Sequence, residues 1–313
     1  MVNMSRTLPQ WLDYLESLNP QVIDLGLQRV AEVVDRLQCR RPAPLTIIVA
    51  GTNGKGTSSA LLAALLRTQG LTVGVYSSPH LRYYNERVGI DGEWISDEDL
   101  IASFERVEQA RGDLALTYFE FGTVSALEFF ARQSLDVCVL EIGLGGRLDA
   151  VNVAEADVTL VTSIGLDHQA WLGDTVEQIA YEKGAIARAG VPLVCGQPVP
   201  PSTAKETVLQ VQGQWYGRGE AFDIERNNDG YRLRFDDQGQ ERYWQLPIPN
   251  IPYHNVATAI QALALVQRLP PLDVCQHVVA ELTVNGRLQR YLLDDQQWLL
   301  DVAHNPQAMA HLQ

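Results

Sequence analysis

The run Gly51, Thr52, Asn53, Gly54, Lys55, Gly56, Thr57 brings together the residue types needed to hold a polyphosphate. Glycines let successive backbone N–H groups turn inward as an anion nest at a helix N-terminus. Lys55 places a cation on the terminal phosphates, and the Thr57 hydroxyl serves phosphate or metal. The spelling departs from the usual G-x-x-x-x-G-K-[ST] loop, because Val49 stands at the first glycine position and Gly56 separates Lys55 from Thr57.

Other groups with chemical uses fall at the ends of apolar runs: Ser77 and Ser78, Glu141, and His168. Alone, each reads more readily as a cap, an ion-pair partner or a satisfied histidine. Together, Ser78, Glu141 and His168 are a candidate cation site beside the phosphates. Magnesium prefers oxygen ligands, so the histidine makes manganese the alternative ion. Lys183, in Y-E-K-G-A-I-A-R, reads by itself as a solvated helix lysine.

The elements that must position these groups are legible. Residues 45–50 (L-T-I-I-V-A) form a continuous apolar run entering the glycines, and A-L-L-A-A-L-L follows them, giving strand, turn, helix. Further apolar runs occupy residues 71–78, 136–142 and 157–164, separated by helix-length segments. This is the pattern of an α/β fold, a mostly parallel sheet with helices on both faces. Ligands of such sheets sit beyond the carboxyl ends of the strands. Residues 214–247, with the turn signals N-N-D-G and D-D-Q-G, read as a small antiparallel β subdomain that also takes in Trp215, Tyr216 and Trp244. A helix is expected from about Asn255, a strand over residues 298–302, and a helix with Pro306 in its first turn.

The 313 residues suffice for more than one domain, and 46% hydrophobic with 20% charged residues is an ordinary globular composition. A net charge of −14 argues against a nucleic-acid partner. The four cysteines are widely spaced, which predicts reduced thiols and a cytoplasmic protein. No apolar run approaches the ~18 residues that span a bilayer. The N-terminus has no secretory h-region.

The spelling G-T-N-G-K-G-T resembles the Mur-ligase superfamily, and within it the folylpolyglutamate synthases. The likeness continues through D-L-G-L (residues 24–27), Y-S-S-P-H-L (76–81), E-R-V (86–88), L-T-Y-F-E-F-G-T (116–123), L-E-I-G-L-G-G-R-L-D-A (140–150), S-I-G-L-D-H (163–168), E-K-G-A-I (182–186) and D-V-A-H-N-P (301–306). The resemblance implies ATP contacts at Thr52, Asn53, Gly54, Lys55, Gly56, Thr57, Asn255, Arg287 and Asp301. It implies metal ligands Ser78, Glu141 and His168, catalytic roles for Lys55, Lys183 and His168, and a carbamate on Lys183. The pterin of dihydropteroate is expected against Asp24, Leu25, Gly26, Leu27, Thr117, Tyr118, Phe119, Glu120, Leu148, Asp149 and Ala150. A flat heterocycle suits the rings of Tyr118 and Phe119, and the Asp149 carboxylate is expected to accept from its aminopyrimidine edge.

The implied reaction is ATP-dependent addition of L-glutamate to dihydropteroate and to the γ-carboxyl of reduced folates, through an acyl phosphate, with Mg²⁺ or Mn²⁺. The enzyme is expected to be a monomer acting on small molecules, away from membranes. Residues 1–290 are expected to form an ATP- and pterin-binding domain with the β subdomain at about 195–250. Residues 291–313 would begin a glutamate-ligase domain, of which roughly 100 further residues are expected by domain size. On this reading the chain as given is an incomplete enzyme. Two rivals stay open: a peptidoglycan-precursor Mur ligase and a nucleotide-binding regulatory module.

Overall fold

The computed structural model describes residues 6–18, 26–294, 296–303 and 305–310. Its strands are β1 (Leu45–Ala50), β2 (Val73–Tyr76), β3 (Val88–Ile90), β4 (Glu93–Trp94), β5 (Val137–Glu141), β6 (Val158–Val161), β7 (Pro192–Cys195), β8 (Gln214–Gly217), β9 (Asp223–Asn227), β10 (Gly230–Asp237), β11 (Gln240–Leu246), β12 (Gln289–Leu293) and β13 (Gln296–Leu300). The helices are α1 (Leu8–Leu18), α2 (Gln28–Leu37), α3 (Lys55–Arg67), α4 (Asp97–Arg111), α5 (Tyr118–Ala131), α6 (Gln169–Leu172), α7 (Val176–Gly184), α8 (Ser202–Gln210), α9 (Tyr253–Leu265), α10 (Leu272–Glu281) and α11 (Pro306–Ala310).

Among the described residues, β1 to β8 form one sheet in the order β4-β3-β2-β5-β1-β6-β7-β8. The strands from β2 to β8 in this order run parallel, and β3 and β4 add an antiparallel edge. Alternation along β1 explains the two-sided burial. Ile48 and Ala50 join the core on the side of α1, α2, α4 and α5, whereas Ile47 and Val49 join that of α3, α9 and α10. With both faces covered, the strand is nearly continuous in apolar residues, Thr46 excepted.

The antiparallel subdomain is smaller than the sequence suggests. Residues 214–217 form β8, which pairs in parallel with β7 as the far edge of the main sheet. Trp215 and Tyr216 pack on opposite sides of that sheet, while Trp244 packs edge-on to Phe235 within β9-β10-β11. The two glycine turns mark the small sheet correctly. Gln238 and Gly239 both take positive φ, 55° and 82°, as the two-residue hairpin between β10 and β11. The buried Gln261 of α9 then ties helix to sheet, accepting from Asp236 N and donating to Asp236 O, each at 2.9 Å. The expected strand at residues 298–302 lies at residues 296–300, paired in a hairpin with β12.

Candidate functional site

β1 lies between β5 and β6, so the segments leaving all three emerge side by side. The glycine loop leaves β1 in a conformation only glycine accepts. Gly51 has φ +148°, and a Cβ there would stand 1.9 Å from Thr162 Oγ1; Gly54 has φ +88°, and a Cβ would stand 2.6 Å from Asn255 Oδ1. The end of β6 grips the loop. Thr52 N donates to Ser163 O at 2.9 Å, Asn53 N to Ser163 Oγ at 2.9 Å, and Thr162 Oγ1 to Asn53 O at 2.6 Å.

These bonds engage the amides of Thr52 and Asn53 with protein. The amides left to face an anion are therefore those of residues 54–57, which head α3 where the helix offers them no acceptor. Lys55 Nζ folds back over the loop, donating to Gly51 O at 3.0 Å and Thr52 O at 3.4 Å. Thr57 is buried at the start of the same helix.

Glu141 ends β5 directly beside this helix. Its carboxylate lies against Gly56 and accepts the Ser78 N–H, so the strand ends of β1, β2 and β5 do meet. Burial pushes its carboxyl up to about 7, against the pull of Lys55, the Ser78 amide and Arg287, and with a further push from Asp149. His168 stands apart in character. It follows β6 in a left-handed conformation, φ 49°, its side chain is 53% exposed, and its Nε2 lies 3.9 Å from Asp167 Oδ1. A cavity of about 460 Å³ opens beside Ser78 and Glu141, with Ser59, Asn285 and Arg287 on its walls.

Residues 143–150 fold around a single carboxylate. Asp149 accepts the N–H groups of Leu144 (2.7 Å), Val151 (3.0 Å) and Gly143, and is buried, which pushes it up to about 6. The side chain expected to read a pterin edge thus has a prior duty as the fastener of its own loop. Gly146 lets this loop press onto α7, where a Cβ would stand 2.5 Å from Glu182 O and 3.2 Å from Lys183 Cα. Lys183 is buried and not solvated. Burial first, and then Lys55, push its amine down to about 7, with Asp167, Asp149 and Glu182 pulling the other way.

Of the remaining pterin candidates, Asp24 and Leu25 lie outside the described residues. Gly26 and Leu27 are half-buried and lead into α2. Thr117 and Glu120 form the capping box of α5, Thr117 N donating to Glu120 Oε2 at 2.8 Å, and Glu120 also pairs with Arg29 at 2.7 Å. The T-x-x-E spacing was the local signal for that role. Phe119 packs on Gly143, and Tyr118 meets Tyr84 edge-on at 5.8 Å; both rings are half-buried, as is Leu148, while Ala150 is buried.

On the other side of the loop lies a second cavity of about 250 Å³, bordered by Gly54, Gln197, His254 and Asn255. Asn255 is buried, and its Nδ2 has no hydrogen-bond partner among the described residues. Arg287 borders the larger cavity instead, and Asp301 uses both oxygens locally, accepting Leu288 N at 2.9 Å and Ala303 N at 2.7 Å.

Two motifs carried more structure than their spacing revealed. Glu86 accepts the N–H groups of Leu81, Arg82 and Tyr83 at 2.6–2.8 Å, and Arg87 Nε donates to His80 Nδ1 at 2.8 Å. Glu86 and Arg87 thereby pin the loop that carries Ser78. Thr162 and Ser163, the grip on the glycine loop, were also missed, since nothing local marks a hydroxyl that bonds across strands.

The family model described as the Mur ligase middle domain matches residues 49–266. The chain is 43% identical over 309 residues to the dihydrofolate synthase/folylpolyglutamate synthase of Escherichia coli, covering 97% of this chain and 71% of that one. It is 40% identical over 324 residues to the protein of the same name from Haemophilus influenzae, covering 97% and 72%. Among solved structures it matches E. coli FolC in complex with DHPP and ADP with a TM-score of 0.93 at 42% identity, over 98% of this chain and 73% of that one. A bifunctional folylpolyglutamate synthase/dihydrofolate synthase with Mn, AMPPNP and L-glutamate bound matches with a TM-score of 0.90 at 43% identity, over 98% and 74%.

Proposed function

We infer, from the premise that this chain belongs to the dihydrofolate synthase/folylpolyglutamate synthase family of Mur ligases, that it is an ATP-dependent ligase joining L-glutamate to dihydropteroate and to folate γ-carboxyls. The observation that carries the reading is the meeting of the amides of residues 54–57, the Lys55 ammonium and the buried Glu141 carboxylate at adjoining strand ends.

A carboxylate resists attack by an amine because its leaving group is poor. Transfer of the ATP γ-phosphoryl onto the substrate carboxylate forms an acyl phosphate, and the glutamate α-amine then displaces phosphate. Lys55, released from its two carbonyls, and the amides of residues 54–57 hold the phosphates and offset the approach of two anions. Most of the chain's contribution is positioning. The nucleoside end takes the cavity beside Asn255, whose buried Nδ2 has no hydrogen-bond partner among the described residues and can donate to it.

The donor set suits a divalent cation. Ser78 and Glu141 offer oxygen ligands for Mg²⁺, the His168 imidazole favours Mn²⁺, and a carboxyl pushed up by burial gains from a nearby cation. Such an ion supplies charge stabilisation to the transferring phosphoryl group. Lys183 is the carbamate site. Its buried amine, pushed down to about 7, is neutral in a large share of molecules near pH 7; that neutral form adds to CO₂, forming an N–C bond and releasing one proton, so that a neutral amine becomes an anionic carbamate. Tyr118 and Phe119 offer ring faces to the pterin, with Asp24, Leu25, Gly26, Leu27, Thr117, Glu120, Leu148, Asp149 and Ala150 around it. Residues 1–290 form the ATP- and pterin-binding unit, and residues 291–313, with Asp301, belong to a glutamate-ligase unit.

The test is phosphate release from ATP by the purified chain in Mg²⁺ or Mn²⁺ with L-glutamate. Release is expected to require dihydropteroate or a reduced folate. Release driven instead by UDP-sugar peptides would assign the chain to peptidoglycan-precursor chemistry, and nucleotide binding without release in any of these mixtures would support a regulatory module.

A further inference from the structure

The side chain of Asn53 bonds to residues distant from the loop that carries it. Its Nδ2 donates to Asn305 Oδ1 at 3.1 Å and to Gln307 Oε1 at 3.0 Å, and its Oδ1 accepts from Asn305 Nδ2 at 2.9 Å. Both hydrogens of the amide and one acceptor site are thus used, while its backbone N–H and C=O are held by Ser163 and Thr162. Every donor that Asn53 has to offer a nucleotide is already bonded to protein. The residue's contribution therefore lies in the connection it makes.

The other side of that connection is also built. Asn305 is buried, and its Oδ1 accepts Ala308 N at 2.9 Å as the cap of α11 while it faces Asn53. Gln307 packs over Gly165, where a Cβ would stand 2.6 Å from its Oε1, and it also borders the cavity beside Asn255. The orientation of both amides is fixed by their neighbours. Ala308 N–H is an obligate donor, so the Asn305 oxygen faces it and the nitrogen turns to Asn53.

We propose that Asn305 and Gln307 are positioning residues of the phosphate loop: their amides clamp Asn53, so that the segment 305–310 sets the loop geometry on which nucleotide affinity depends. The inference rests on the reading of residues 54–57 as the nucleotide site. Reciprocal amide pairing is directional and uses a donor and an acceptor of each partner. A loop held this way as well as by Thr162 and Ser163 presents its free amides in one arrangement, whereas a loop released from Asn305 keeps only that backbone grip and leaves more of the ordering to the nucleotide, at the expense of affinity.

The experiment is a double-mutant cycle on this chain, reading ATP affinity by titration calorimetry and stability by thermal melting. Asn305→Ser retains a helix-capping oxygen but loses the amide pair, so α11 keeps its cap. Asn305→Ser and Asn53→Ala are each expected to weaken ATP binding about tenfold, and the double variant no more than either single one, the signature of one shared interaction. Melting of Asn305→Ser should stay near that of the wild type. Multiplying effects in the double variant, or unchanged affinity in Asn305→Ser, would overturn the clamp while leaving the nucleotide site intact. Failure of the wild-type chain to bind ATP at all would remove the nucleotide reading and the clamp with it.

Discussion

Gly56 faces the carboxylate of Glu141: a Cβ built on the glycine would stand 3.5 Å from Oε2 and 3.9 Å from Oε1. Those distances are ordinary contacts, and the residue sits in the first turn of α3 with no positive φ. Its backbone does not need glycine, unlike those of Gly51 and Gly54. The extra glycine in G-K-G-T keeps open the space between the helix N-terminus and the carboxylate.

Gly56→Ala should therefore leave the fold unharmed and even add up to about 1 kcal/mol of helix propensity. Its methyl would occupy the gap, and ATP affinity is expected to fall about tenfold, some 1.4 kcal/mol. Thermal melting and nucleotide titration on the same sample check both halves. Undiminished affinity would show that the gap is not used.

Lys55→Ala removes the cation and breaks only its bonds to the Gly51 and Thr52 carbonyls. Stability should change little. Loss of a fixed charge at developing phosphoryl charge is worth about a hundredfold in rate, so phosphate release is the measurement, and a rate within threefold of wild type (about 0.7 kcal/mol) would count against the lysine's placement.

Asp149→Ala should act on the loop before it acts on any ligand. Three backbone N–H groups lose their acceptor, and an unsatisfied buried donor costs about 1–3 kcal/mol. Urea denaturation should show a loss of at least about 2 kcal/mol, with Asp149→Asn losing less because one oxygen remains. An unaffected midpoint with selective loss of dihydropteroate binding would restore the carboxylate to the ligand.

Lys183 sets a pH dependence whose direction is fixed. Its amine titrates at about 7 in the folded chain against 10.5 for the free side chain, so between these values the unfolded chain binds the extra proton. Stability therefore rises with pH through this window, and the contribution is lost as pH falls toward 7. The buried cysteines, raised from 9.0, oppose this only above about pH 9. Between pH 7 and 9 in CO₂-free buffer the slope should be positive by about 1 kcal/mol per unit, and Lys183→Met should flatten it. Labelled bicarbonate should then give a carbamate carbon resonance in the wild type alone; its absence would leave Lys183 as an unmodified buried amine.

The legible parts of this chain were the local ones. Residues 45–50 are read at their observed bounds because nothing charged interrupts β1. The neighbouring runs come out too long because their flanking aspartates fasten rather than extend the strands: Asp136 Oδ2 accepts Thr72 N and Asp157 Oδ2 accepts Thr46 N, each at 2.8 Å. The glycine loop, Ser78 and Glu141 could be placed together because strand ends in a parallel sheet share one rim. The grip of Thr162 and Ser163, the burial of Lys183 and the engagement of Asn53 all depend on partners distant in sequence. Residue type could not distinguish a carboxylate that waits for a ligand from one, like Asp149, already bonded to its own loop.

The central position of β1 also bears on how the molecule acquires its site. Ile48 pairs with Leu140 on one side and Thr159 on the other, both parallel and both reached only after long intervening segments have closed. Such pairings are slow to form, since the entropy of closing the chain must be met before they return any energy. The loop, Glu141 and Ser163 are brought together only when β1, β5 and β6 have paired, since each lies on or just after a different one of these strands. A nucleotide that recognises the finished rim thus selects for the last step of folding, and its presence should slow amide exchange in β1, β5 and β6 together rather than in the loop alone.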